Sequence, residues 1–116
     1  MEISTKKLND IDVVHISGRL DAYTSEEAEK TINALLDKGT TKLLVDFAKV
    51  DYISSSGLRI MLASLKRLNR IKGSIKLANL KPALKEVFEI SGFNQLFNFY
   101  ENEEDAVKSF GTDSTV

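Results

Sequence analysis

Hydrophobic positions along the chain switch between two periods, and the switches divide it into strands and helices. Residues 2–7 and 11–17 predict two short strands, and Asn9-Asp10 between them predicts a hairpin turn. In the second strand Val13, Val14 and Ile16 do not alternate cleanly, which predicts burial on both faces. Gly18-Arg19-Leu20-Asp21 then leaves the sheet. Thr24-Ser25-Glu26-Glu27 has the spacing of a capping box. The helix it opens places Ala28, Ile32, Leu35 and Leu36 on one face and ends at Gly39, where a left-handed residue is often needed. Residues 42–47 predict a nearly solid apolar strand, so the pattern is a βαβ unit with a right-handed crossover favoured.

The stretch Val50-Asp51-Tyr52-Ile53-Ser54-Ser55-Ser56-Gly57-Leu58-Arg59 carries the chain from that strand into a second helix, about residues 56–70. Leu58, Met61, Leu62, Leu65 and Leu68 recur there at helical spacing, and Lys72-Gly73 closes the helix. Residues 74–78 predict a strand with Ile75 and Leu77 on one face. Pro82 suits the first turn of a third helix, with Leu84, Val87, Phe88 and Ile90 facing inward and Ser91-Gly92 as its stop. Residues 96–100 predict a last short strand. A final helix, about 103–110, would bury Ala106, Val107 and Phe110, and residues 111–116 read as a polar tail. Strands alternating with helices place the chain in the α/β class, as one domain over residues 1–110.

Composition narrows the function. A chain of 116 residues suits one core that buries about two-thirds of its unfolded surface. A net charge of −1 gives no global case for nucleic acid, and the lack of cysteine removes disulfides, thiol nucleophiles and thiolate metal sites. No basic segment followed by an apolar core is visible at the N-terminus, and no apolar run approaches the roughly 20 residues that span a bilayer. A cytoplasmic domain that makes no use of a membrane is therefore expected. Charge is nevertheless uneven: residues 52–85 hold eight Lys and Arg and no Asp or Glu.

Within that positive island, Ser54, Ser55 and Ser56 lie where a helix begins. Backbone N–H groups are unpaired there and the helix dipole is positive. Capping and turn formation need only one hydroxyl. Phosphorylation is the sharper reading, because a phosphoserine adds about −1.5 to −2 charges that a helix start can accept. Catalysis is poorly served. His15, the only histidine, lies in an apolar strand, where a core or sheet-surface role is expected. No G-x-S-x-G elbow is present, and Gly39-Thr40-Thr41-Lys42 lacks the pattern of a P-loop. Metal ligation would fall to carboxylates such as Asp21, Asp46 and Asp51, whose spacing does not demand that they meet. The expectation is a non-enzyme with no cofactor and no metal. On the second helix Arg59, Ala63, Lys66 and Arg70 form a stripe, and Ile60 falls away from the core direction. Beside Ser55, the residues Arg59, Ile60 and Ala63 would form a small apolar spot in a basic surround, suited to an acidic protein partner. A plain solvated face is the alternative, with nucleic acid a weak third choice for want of aromatic platforms.

The order of elements, and Asp51-Tyr52-Ile53-Ser54-Ser55-Ser56-Gly57-Leu58 above all, resembles the STAS domains of bacterial anti-sigma-factor antagonists. Gly18-Arg19-Leu20-Asp21 is similar to the family's Gly-Glu-Leu-Asp segment, and Lys81-Pro82-Ala83 and Ser91-Gly92-Phe93 are similar to later landmarks. The resemblance implies a mixed sheet of four to five strands covered by about four helices. It implies phosphorylation at Ser55 and a partner-binding switch loop at Ser54, Ser56 and Gly57. Ser54 takes the position of the family's aspartate, Ser56 is the expected helix cap, and Asp21 matches an aspartate beside the switch serine. It further implies an anti-sigma-factor serine kinase as partner, a PP2C-type phosphatase that reverses the mark, and release of a sigma factor when Ser55 is unphosphorylated. A STAS scaffold without a phospho-switch is the alternative. Two departures from the family pattern, Ser54 for the acid and Arg19 for the glutamate, make the site less negative.

Overall fold

A single five-stranded sheet, in the spatial order β1-β2-β3-β4-β5, forms the frame of the computed structural model, which describes residues 1–113. The elements run β1 (Glu2–Leu8), β2 (Ile11–Leu20), α1 (Ser25–Asp37), β3 (Lys42–Ile53), α2 (Ser55–Arg70), β4 (Ser74–Ala78), α3 (Pro82–Ile90), a 3-10 turn (Phe93–Gln95), β5 (Asn98–Tyr100) and α4 (Glu103–Asp113). β1 pairs antiparallel with β2 across the Asn9-Asp10 turn, where Asn9 takes a φ of 57°. The β2–β3, β3–β4 and β4–β5 pairs are parallel, each joined through a helix. The α/β fold with a mixed sheet and four helices is the one the sequence implies.

Strand residues alternate between two cores. Val14, Ile16, Val45, Phe47, Ile75 and Leu77 join α1, α2 and α3 in the larger one. Ile11, Val13, Leu44 and Ala78 face the other way and meet Ala106 and Phe110 of α4. Burial on both faces explains the missing alternation in β2. It also applies to β4, where Lys76 is buried opposite Ile75 and Leu77, its amine 2.9 Å from the Ser109 hydroxyl and 4.8 Å from the centre of the Phe110 ring.

Several boundaries differ from the periodicity. β3 runs on to Ile53, so Val50 to Tyr52 belong to the strand. It stays paired that far because register shifts after His15 and Gly18 let β2 follow it, ending with Leu20 opposite Ile53. Ile90 is 80% exposed, not inward. It lies two residues, more than half a turn, beyond Phe88. Phe88 itself fills the inward direction, with Phe97 and Phe99 packed edge-on at 5.8 and 5.4 Å between ring centres. α4 continues through Asp113, which takes three residues out of the expected tail; residues 114–116 lie outside those described.

Candidate functional site

The site is built where β3 hands over to α2. The Ser54 N–H donates to the Leu20 carbonyl at 2.9 Å, which ties the helix start to the end of β2. Ser54 is extended (φ −94°, ψ 175°), and its hydroxyl accepts the Gly57 N–H at 3.3 Å while its carbonyl accepts the Leu58 N–H at 3.0 Å. Ser54 is therefore the cap, not Ser56. The helix begins one residue earlier than its apolar spacing indicates, and Ser56 lies half-buried within the first turn. Gly57 lets that turn press on the strand ends. A Cβ there would stand 2.8 Å from Ile53 Cγ1 and 3.0 Å from Leu20 Cγ. With Ser54 engaged and Ser56 turned towards α1, Ser55 is left as the exposed first residue of α2, and no acid lies in that turn.

Asp21 forms the neighbouring wall, directly after the Leu20 that Ser54 binds. Its Oδ1 accepts the N–H groups of Thr24 at 2.9 Å and Tyr23 at 3.0 Å. These bonds, Thr24's N–H foremost, hold the Asp21 carboxyl below its ordinary range. The expected capping box is not formed. Thr24 has a helical backbone, and its hydroxyl lies 2.6 Å from the Arg19 carbonyl and donates to it. Asp21 does the capping in its place.

Residues the periodicity does not single out flank the ends of β2 and β3. The Arg19 guanidinium lies 4.2 Å over the Tyr52 ring, and Tyr23 is 88% exposed. Lys81 bonds Asp51 at 2.6 Å and holds that carboxyl below its ordinary range. The signal for Tyr52 is its place in the β3 extension, which is hidden while 50–53 reads as a connection. The Lys81–Asp51 pair joins distant segments and leaves no local trace.

Along α2, Ser55, Arg59, Ala63 and Lys66 are exposed on one stripe. Ile60 does not belong to it. It is buried against α1, because α2 packs on a helix as well as on the sheet and so needs two apolar faces. The α1–α2 seam is a hollow of about 300 Å³ lined by Ser25, Glu26 and Glu29 on one side and Ser56, Arg59, Ile60 and Ala63 on the other. The positive island is also smaller than its charge count. Lys76 is under α4, Lys81 is paired with Asp51, and Arg67 bonds Asp37 of α1. Arg59, Lys66 and Arg70 remain exposed on the outer side of α2.

The three aspartates do not gather. Asp46 lies on the α4 face of the sheet, where Asn79 reaches both its oxygens at 3.2 and 3.1 Å. His15 is on that face too, in a sheet-surface role, with Nε2 at 2.7 Å from Glu103. Ser55 thus has no imidazole beside it to act as a base. No helix among the described residues is long and apolar enough to cross a membrane.

Fold and site together define a small mixed-sheet domain that presents one exposed serine at a helix start. The chain belongs to the STAS-domain family, whose model matches residues 2–106. It is 35% identical over 112 residues to BtrV of Bordetella bronchiseptica, which carries the name of an anti-sigma factor antagonist, with 97% of each chain covered. It is 29% identical over 104 residues to the anti-sigma-B factor antagonist of Staphylococcus epidermidis, covering 90% of this chain and 96% of that one. The phosphorylated form of the Bacillus cell fate determinant SpoIIAA has the same fold, with a TM-score of 0.74 at 22% identity over 94% of this chain and 99% of that one.

Proposed function

We propose that this protein is an anti-sigma-factor antagonist whose binding to an anti-sigma-factor serine kinase is switched by phosphorylation of Ser55. The observation that carries the reading is the division of labour among the serines. Ser54 is engaged as the cap, Ser56 is half-buried, and Ser55 alone combines exposure with a helix start. The names of the Bordetella and Staphylococcus relatives support the antagonist role. SpoIIAA, known in a phosphorylated form, shows that the fold tolerates the modification in that protein.

Unphosphorylated, the domain docks the kinase against Ser55, Arg59 and Ala63, with Asp21, Tyr23 and Tyr52 at the margin, and the sigma factor is released. The kinase then transfers the γ-phosphoryl group of ATP to the Ser55 oxygen, whose proton is lost, leaving ADP. Unpaired N–H groups of the first turn and Arg59, one turn along, receive the phosphate within the domain. The surface offered to the partner gains about −1.5 to −2 charges, which adds repulsion and a desolvation cost to the interface. A PP2C-type phosphatase restores the hydroxyl. This chain is the substrate and partner; the phosphoryl chemistry belongs to the kinase, and the circuit operates in the cytoplasm. The test is incubation with the cognate kinase and ATP, followed by mass-spectrometric mapping. One phosphate on Ser55, absent from Ser55→Ala, is expected. Full modification of Ser55→Ala would refute the assignment.

A further inference from the structure

We infer that His15, Asp46 and Glu103 form a binding site for one divalent transition-metal ion, zinc or a close analogue, on the α4 face of the sheet. Three elements meet there: β2 supplies the imidazole, β3 and α4 one carboxylate each. One ligand atom from each lies within 4.8 Å of the others. His15 Nε2 is 2.7 Å from Glu103 Oε2 and 3.6 Å from Asp46 Oδ2. Donors held about 2.0–2.1 Å from a tetrahedral zinc ion stand roughly 3.3 Å apart, so small side-chain shifts would seat the ion.

The surroundings are those of a ligand set already oriented. Asp46 is 4% exposed, and its Oδ1 accepts the Ala48 N–H at 2.8 Å. Asn79 holds the same carboxylate from the other side. Glu103 Oε1 takes the Lys6 amine at 2.7 Å, which leaves Oε2 turned towards His15. Such outer partners fix ligand orientation in metal sites. Positive charge is unevenly supplied. Burial pushes Glu103 up, but hydrogen bonds from Lys6, Asp46 and His15 outweigh it and bring the group down to about 2. Asp46 stays above its ordinary value, chiefly because it is buried. His15 and Asp46 also border a hollow of about 330 Å³ that includes Ser4, Ser17 and Lys49, giving an entry path and room for a water as fourth ligand. One nitrogen and two oxygen donors suit zinc or manganese better than magnesium or calcium, which take oxygen ligands.

The chain has one histidine and no cysteine, so a tight zinc site has to use His15. The test strips the intact protein with a chelator, titrates it with zinc chloride, and follows the His15 ring resonances by NMR alongside calorimetry. One zinc per chain, with a saturable ring shift, is expected. Loss of even an outer-shell partner costs about 10–100-fold in metal affinity, so His15→Ala should lose roughly a hundredfold or more. Asp46→Asn, checked for folding by circular dichroism, should also weaken binding, whereas Ser55→Ala should bind zinc as wild type does. No ring shift up to about 1 mM zinc, or binding retained in His15→Ala, would overturn the site.

Discussion

The Ser54 hydroxyl oxygen accepts the Gly57 N–H, Ser56 faces the α1 seam, and Ser55 is exposed. Gly57 is what makes this arrangement compact. Its Gly57→Ala variant would drive a methyl group into Ile53 and Leu20 at the strand ends. Overpacking of this kind costs about 1–3 kcal/mol, to be read as a lower urea midpoint at unchanged slope. An unchanged midpoint would mean that the helix start is not pressed against the sheet. Asp21 adds a pH term. Its carboxyl is lower in the native state than in the unfolded chain, chiefly through the Thr24 N–H, so it stabilises the fold above its unfolded value and loses that effect as pH falls through the native one. The melting temperature of wild type should therefore exceed that of Asp21→Ala by more at pH about 6 than at pH about 3, below the ordinary aspartate value. An equal gap at both would contradict the capping role. At this scale the serine run and Asp21 are visible in the sequence. Which serine caps is not, because a bond from Ser54 to the distant Leu20 carbonyl decides it.

The elements explain what periodicity captures and where it stops. β4 and the α3 start fall where spacing puts them, since Gly73, Asn79 and Pro82 punctuate them locally. The inward faces are harder. Ile60, which the spacing turns away from the core, is buried against α1, whereas Ile90, which the spacing turns inward, is exposed. Only the neighbour separates them: α1 lies over Ile60, whereas Phe97 and Phe99 close the core around Phe88. Charge behaves likewise, since Lys81 and Arg67 lose their count to Asp51 and Asp37. The exposed cations left on α2, Arg59, Lys66 and Arg70, still predict salt-sensitive association with the proposed kinase partner. Raising salt from about 0.05 to 0.5 M shortens the screening length several-fold and should weaken binding through a slower on-rate. Equal affinity at both salts would reduce the stripe to a solvated face.

Across the whole molecule the sheet separates two regions. Its α1–α2–α3 face and strand ends carry the Ser55 surface, and its α4 face carries the His15–Asp46–Glu103 cluster. The serine run of the first shows in the sequence because it is one contiguous stretch, whereas Arg19, Asp21 and Tyr23 come to it from another segment. The second does not show, because β2, β3 and α4 contribute one residue each and no spacing links them. The proposed switch has one consequence to measure above all, the affinity of the proposed anti-sigma-factor kinase for the unmodified protein, for protein phosphorylated on Ser55 and for Ser55→Asp. Added charge at the start of α2 should weaken the complex by about a hundredfold, roughly 3 kcal/mol. Equal affinities for all three would contradict the switch.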